Sequence, residues 1–471
     1  MHLSHLKSLI TYFYITLTVV VSFKLNASEY VLKKIDQIRE DNHIGAAVVI
    51  IVNKDNALLQ AFLGQNSWEN GSPLKQQNMF RIGSISKSFA GILALKMQQE
   101  GLIDISKPLS YYLKKEYIDN KFETEITLAQ LLEHTAGLSD LSKAEWDYNK
   151  SQRTSLEQAM ALKLGNHVSQ WQPGLHSSYS NVGLGYLGLA LEKASGKTYE
   201  QLMDEYVFKP LEMKSSTLFL ENHVKGRLIN GYDSDGKTPI PYWHNIYRPF
   251  AAINTDANDM VSLLQLMLSN GMHNNQQFLT TKALERIETP KTTLAAKSGL
   301  KYGYGLGNYQ WQTNGYSFFG HGGDADGYLS RFGYNKETGL AYFVMINAFQ
   351  HRALKQIRNL IENEILKDLP KPDYLLRIKL SDHTLAKYTG KYIQVTSRFK
   401  KPSDSHSLAF EIIILNGELI IQHPNGFKPS IFAVNKAHFR YEDESVATIA
   451  FIDHAGKTYF QGDSGNFVKL E

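Results

Sequence analysis

Residues 46–63 read AAVVIIVNKDNALLQAFL: an apolar run over 46–52, a polar turn at Asn53-Lys54-Asp55-Asn56, and a second apolar run over 57–63. Two such runs, the first rich in β-branched residues and parted from the second by turn formers, predict a β-hairpin. Similar strand-like stretches return only late, at 316–319, 328–334 and 340–346, followed by a helix over 352–367. A helical pattern over 30–40 precedes the hairpin. Between the two strand-rich ends lie segments of helical period: 88–100, 128–133, 184–194 and 259–269. Strands at both ends with helices between predict one sheet assembled from the two ends of the chain, with a helical lobe inserted.

Moving outward, residues 1–27 read as an export signal. Lys7 is the sole full charge before the apolar stretch 9–23, and Leu25-Asn26-Ala27 offers a cleavage site before Ser28. The expectation is a periplasmic or secreted protein; an uncleaved N-terminal anchor is the competing reading, since Lys24 interrupts the pattern. A first, larger domain is then expected over 28–367. Asp368-Leu369-Pro370-Lys371-Pro372-Asp373 reads as a linker, because its prolines stop a helix and stiffen the chain. Beyond it, over 374–471, the pattern changes to short β segments. The run 410–415, the turn Asn416-Gly417 and the run 418–422 form a strong hairpin signal, and 446–452 and 457–461 flank another turn. This last part is expected to be a small antiparallel barrel or sandwich that shapes access to the first domain or self-association.

Composition narrows the function classes. The 471 residues carry 50 basic and 46 acidic side chains. Residues 1–27 contain two lysines and no acid, leaving 48 bases against 46 acids in the remainder. With no long run of one sign, nucleic acid is not an expected partner. The chain has no cysteine, which excludes disulfides, a thiol nucleophile and a lipid-modified cysteine. The histidines are scattered without a His-Glu-x-x-His pair, so no metal and no cofactor is expected. Gly183-Leu184-Gly185-Tyr186-Leu187-Gly188 matches a dinucleotide fingerprint, but no strand precedes it. It reads as small residues that let a helix pack closely.

Three short motifs carry chemistry. Ser-x-x-Lys occurs six times, at Ser4, Ser72, Ser84, Ser234, Ser298 and Ser397. Only Ser84 opens an apolar-periodic helix, through Phe89, Ile92, Leu93, Leu95 and Met97 to Gly101. A helix N-terminus aims N–H groups at negative charge, and Lys87, three residues on, shares the face of Ser84. A neutral amine there could take the hydroxyl proton and turn Ser84 into a nucleophile. Taken alone, the motif describes a capping serine beside a solvated lysine. The second motif, Tyr179-Ser180-Asn181, sits in a polar loop after Pro173-Gly174. Its phenol could act as a partial phenolate or a proton relay, and Asn181 offers a donor and an acceptor to a substrate amide. The third, His321-Gly322-Gly323, falls between expected strands, where glycines let a substrate backbone approach.

Ser84-x-x-Lys87, Tyr179-x-Asn181 and His321-x-Gly323, in that order, resemble the three motifs of the class C β-lactamase and serine-type D-Ala-D-Ala carboxypeptidase family. Leu131 to Leu138, Gln172-Pro173-Gly174 and Tyr302-Gly303-Tyr304-Gly305 extend the likeness over about residues 30–367. The resemblance implies an α+β fold with an antiparallel sheet flanked by helices and a helical lobe. It implies catalysis by Ser84, Lys87 and Tyr179, substrate binding by Asn181, His321 and Gly323, and an oxyanion hole from the backbone N–H groups of Ser84 and Asp324. Such donors typically lower a barrier by about 3–4 kcal/mol each. His134 matches a structural position. β-Lactamases usually carry lysine where this chain has His321, and an unperturbed histidine is mostly neutral at pH 7. His-x-Gly resembles the D-aminopeptidase and esterase branches, some of which carry a lipocalin-like barrel after the catalytic domain. The expected activity is therefore peptidase or esterase action on small peptides, D-amino acid derivatives or esters. A penicillin-binding carboxypeptidase or weak β-lactamase is the alternative, and a non-catalytic binding module a third. The expected partners are a small-molecule or peptide substrate, a cell-wall peptide among them, and further copies of the chain.

Overall fold

The computed structural model describes residues 25–69, 71–114, 117–149, 154–165, 167–399, 409–462 and 465–470. Nearly all of the expected export segment lies outside the described residues. Counting strands of three residues or more and helices of eight or more, the chain begins α1 (Leu25–Asp41), β1 (Ala46–Asn53), β2 (Ala57–Gly64) and α2 (Ser86–Gln99). The helical lobe follows with α3 (Asn181–Ser195), α4 (Ala257–Leu268) and α5 (Thr281–Glu288). Then come β3 (Tyr309–Thr313), β4 (Tyr316–Ala325), β5 (Tyr328–Asn335), β6 (Leu340–Ile346) and α6 (His351–Leu366).

These six strands form one antiparallel sheet in the order β2-β1-β6-β5-β4-β3. The two ends of the chain join at β1 and β6, with Ala47 opposite Ile346 and Asn53 opposite Leu340. Both faces of that junction are buried. Ala47, Val49 and Ile51 pack with Val31 and Ile35 of α1 and with Ala353, Ile357 and Ile361 of α6. Val48, Ile50 and Val52 face the second core, built on Phe89, Ile92 and Leu93 of α2 and Leu263 of α4. A strand covered on both sides reads as an unbroken apolar run, and 46–52 does. Each buried Val or Ile contributes about 1.5–3 kcal/mol.

Two boundaries differ from expectation where the site is built. α3 starts at Asn181, not 184, because the Ser180 hydroxyl accepts the Gly183 N–H as an N-cap. β4 runs through His321-Gly322-Gly323 to Ala325, so this motif is a strand and not a loop between strands. Within α3, a Cβ on Gly185 would lie 2.3 Å from Met160 and one on Gly188 would lie 2.5 Å from Pro249. The dinucleotide look-alike is helix packing.

The C-terminal strands are β7 (Gly390–Gln394), β8 (Ala409–Leu415), β9 (Glu418–Gln422), β10 (Ser430–Ala433), β11 (His438–Arg440), β12 (Ile449–His454), β13 (Lys457–Gly462) and β14 (Gly465–Lys469). They form a closed antiparallel barrel, sealed where β7 pairs with β14 and Ile393 lies opposite Val468. Closure leaves no free sheet edge. Tyr392, Phe410, Phe439, Phe451, Phe460 and Phe467 fill its interior, with the rings of Phe410 and Phe467 4.7 Å apart. The barrel is docked on the first domain. Ala450 packs with Ala295, Leu300 and Tyr302. Gln461 accepts the Ala295 N–H at 2.8 Å and donates to the Leu175 carbonyl at 2.9 Å.

Candidate active site

Ser84 sits in a 3-10 turn, Gly83–Ile85, that runs into α2 at Ser86. The sequence pattern placed it directly at the α-helix start. The tighter turn keeps the spacing useful, since residues three apart eclipse in a 3-10 helix. Lys87 Nζ lies 2.9 Å from Ser84 Oγ and donates to the Phe250 carbonyl at 3.0 Å. Tyr179 arrives from the far side of the cleft, and its phenol donates to Ser84 Oγ at 3.1 Å. The structure thus brings together three side chains from positions 84, 87 and 179.

Electrostatics sort their protonation. Lys87 is fully buried, and that burial holds its amine well below the usual lysine value. Asp140 works in the opposite direction and Arg398 reinforces the lowering. A neutral amine beside a hydroxyl is the form that can accept a proton. Burial raises the Tyr179 phenol above its ordinary value, outweighing the Ser84 hydrogen bond and the nearby Arg398. Of the two chemistries open to it from sequence, partial phenolate is disfavoured and proton relay fits.

His321 is buried on β4. Its Nδ1 donates to the Gly322 carbonyl at 2.5 Å, so Nε2 is the acceptor for the Tyr304 hydroxyl at 2.8 Å. Burial, with Lys87 adding to it, lowers its pKa to about 3. It is a neutral imidazole at pH 7, more firmly so than an exposed histidine. At Gly323 a Cβ would lie 2.0 Å from the Ile82 carbonyl and 2.2 Å from Ser330 Oγ, so the glycine lets β4 approach the Ser84 turn. Gly83, at φ +51°, makes the matching approach: its Cβ would lie 2.5–2.6 Å from the Asp324 backbone. The backbones of Ser84 and Asp324 are therefore neighbours.

Asn181 is spent in part on the fold. Its backbone N–H and its Nδ2 donate to Asp140 at 2.8 and 3.2 Å. Its Oδ1 is buried and has no partner among the described residues, which leaves one acceptor for an amide. His134 braces Tyr179: its ring is 4.2 Å from the tyrosine ring, and Nδ1 accepts the Ser180 N–H at 3.2 Å.

Sequence reasoning missed four contributors. The Phe250 carbonyl carries no side-chain signal. Tyr304 lay in the matched stretch 302–305, but nothing local tied it to His321. Asp140 and Arg398 meet across 258 positions, Arg398 Nε donating to Asp140 Oδ2 at 2.7 Å. Tyr304 also lines a 240 Å³ cleft with Tyr309 and, from the barrel, Gln461 and Asn466. Among the described residues no group of acidic or histidine side chains is placed to hold a metal ion.

Comparison with known proteins accords with this geometry. The Beta-lactamase family model matches residues 31–365. Protein flp of Staphylococcus aureus (strain MW2) is 26% identical over 235 residues, 49% of this chain and 47% of flp. A Beta-lactamase of Providencia stuartii is 25% identical over 263 residues, 54% of this chain and 64% of that protein. The chain thus spans about half the length of flp and under two thirds of the second relative. An octameric penicillin-binding protein homologue from Pyrococcus abyssi superposes with a TM-score of 0.62 at 18% identity, over 94% of this chain and all of that one.

Proposed function

The chain belongs to the β-lactamase family, and on that premise we propose that it hydrolyses amide or ester bonds of small acyl donors through a covalent acyl-enzyme on Ser84. The observation that carries this is the contact of Ser84 Oγ with a buried, depressed-pKa lysine at 2.9 Å and a neutral phenol at 3.1 Å. Neutral Lys87 takes the Ser84 proton as Oγ attacks the acyl carbon. The Ser84 and Asp324 N–H groups receive the developing oxyanion. Tyr179 passes a proton toward the leaving group, and water then releases the acyl group by the same steps in reverse. Asn181 Oδ1 accepts from the substrate amide.

Substrate class follows from His321. A neutral imidazole lacks the fixed positive charge that would hold a carboxylate, which favours peptides, D-amino acid derivatives or esters over β-lactams. We further propose that residues 1–27 export the protein to the periplasm or the medium, where a cell-wall peptide is a candidate substrate. N-terminal sequencing of the mature protein tests that step. For the chemistry, kcat/KM is compared for a p-nitrophenyl ester, D-Ala-p-nitroanilide and nitrocefin. The first two are expected to exceed the third, and nitrocefin leading would overturn the substrate assignment. A fluorophosphonate should label the wild type and not Ser84→Ala; labelling of that variant sinks the nucleophile assignment.

A further inference from the structure

The barrel reaches into the catalytic cleft. Residues 395–398, which follow β7, lie along the chain that carries Tyr179 and Asp140. The Val395 carbonyl accepts from Trp171 Nε1 at 2.8 Å, Thr396 Oγ1 donates to the Ser177 carbonyl at 2.8 Å, and the Ser397 carbonyl accepts from Ser178 Oγ at 3.0 Å. The Arg398 carbonyl then accepts the Asp140 N–H at 2.8 Å. This register holds the Arg398 guanidinium over the Tyr179 ring, 4.9 Å from its centre, with Nε 2.7 Å from Asp140.

We infer that Arg398 is a positioning residue of the catalytic centre, delivered by the barrel, whose pairing with Asp140 keeps that carboxylate's charge from holding Lys87 as an ammonium. The inference rests on Lys87 being the base, as proposed above. Asp140 is completely buried at its carboxylate. Among the described residues its other partners are neutral donors: the Leu141 and Asn181 N–H groups and the Asn181 amide. Around Lys87 stand Ser84 on its own turn, the Phe250 carbonyl, the phenol of Tyr179, and the imidazoles of His134 and His321. Burial keeps both imidazoles neutral at pH 7 and Tyr179 protonated. Among the described residues, the charges acting on Lys87 are therefore Asp140, which favours the ammonium, and Arg398, which opposes it. Removing Arg398 leaves a buried carboxylate without its counter-charge, and the field of that carboxylate acts on Lys87.

The direction follows. A lysine base works as the free amine, so kcat/KM rises with pH through the Lys87 titration. Taking Arg398 away stabilises the ammonium and moves that acid limb to higher pH. Taking the Asp140 charge away moves it lower. Arg398 is half exposed at its side chain, so solvent screening limits its effect. About one pH unit is expected, or about a tenfold loss of kcat/KM on the acid limb.

The test is the pH profile of kcat/KM for p-nitrophenyl acetate, measured on the full chain. Arg398→Ala should shift the acid limb up by about one unit. Arg398→Lys should stay within about a third of a unit of the wild type. Adding Asp140→Asn to Arg398→Ala should bring the limb back to the wild-type position or below it. A parallel drop at every pH with an unmoved limb would overturn the inference, leaving Arg398 as a brace for the docked barrel. Should Arg398→Ala not fold, Arg398→Gln against Arg398→Lys asks the same question with side chains of similar reach, and equal limbs overturn it. A Ser84→Ala variant that still hydrolyses the ester defeats the proposed function instead, so the two failures are distinguishable.

Discussion

The central sheet and the C-terminal barrel are both antiparallel, yet they bury their side chains in opposite ways. The sheet is covered on both faces, so β1 and β6 divide alternate residues between two cores. The barrel closes on itself and fills one interior with aromatic rings. A sheet held from both sides is a rigid platform, and its strand β4 carries His321 and the Asp324 backbone to the Ser84 turn. The barrel fills its own core and meets its neighbour through a small cluster at Ala450. What it supplies comes from its surface: a rim of amides and a segment, 395–398, laid along the cleft. On the reading proposed above, one region holds the chemistry and the other tunes it.

The sharpest way to break this contrast is at Lys87. Lys87→Ala should lower kcat/KM for a p-nitrophenyl ester on the order of 10⁴-fold, with no comparable loss in thermal unfolding, since a desolvated amine contributes little to a core. Equal damage to stability and activity would mean the lysine is a packing element. Next in size is Phe460→Ala in the barrel interior. Loss of that ring should cost about 3–5 kcal/mol of barrel stability in denaturant unfolding. At temperatures where the barrel stays folded, kcat/KM should remain within about threefold of the wild type. A drop approaching that of Lys87→Ala would place the barrel inside the catalytic machinery and erase the distinction. The smallest effect is a null one. With a pKa near 3, His321 should show no imidazole titration by NMR between about pH 5 and 8. A midpoint near 6.5 would put a switchable positive charge at the substrate end of β4.

Much of the first domain was legible because its signals are local or periodic. The unbroken run 46–52 announces a strand, and the spacing from Ser84 to Lys87 survives the change from α-helix to 3-10 turn. Strand length limited the rest. β10 and β11 span four and three residues, too short for alternation to register. The glycines of 320–323 look like a loop because sequence does not distinguish a glycine that turns the chain from one that lets two backbones touch. At Gly323 it is the second.

Sequence by itself determined the pairing of a serine with a lysine one turn on, the tyrosine motif, and the sheet built from both ends. These follow from short-range spacing and apolar period, which act over a few residues. Only the tertiary structure decided how those groups are charged. Burial of Lys87, neutrality of His321 and the meeting of Arg398 with Asp140 depend on which surfaces exclude water together, and dielectric environment belongs to a packed assembly, not to a stretch of chain.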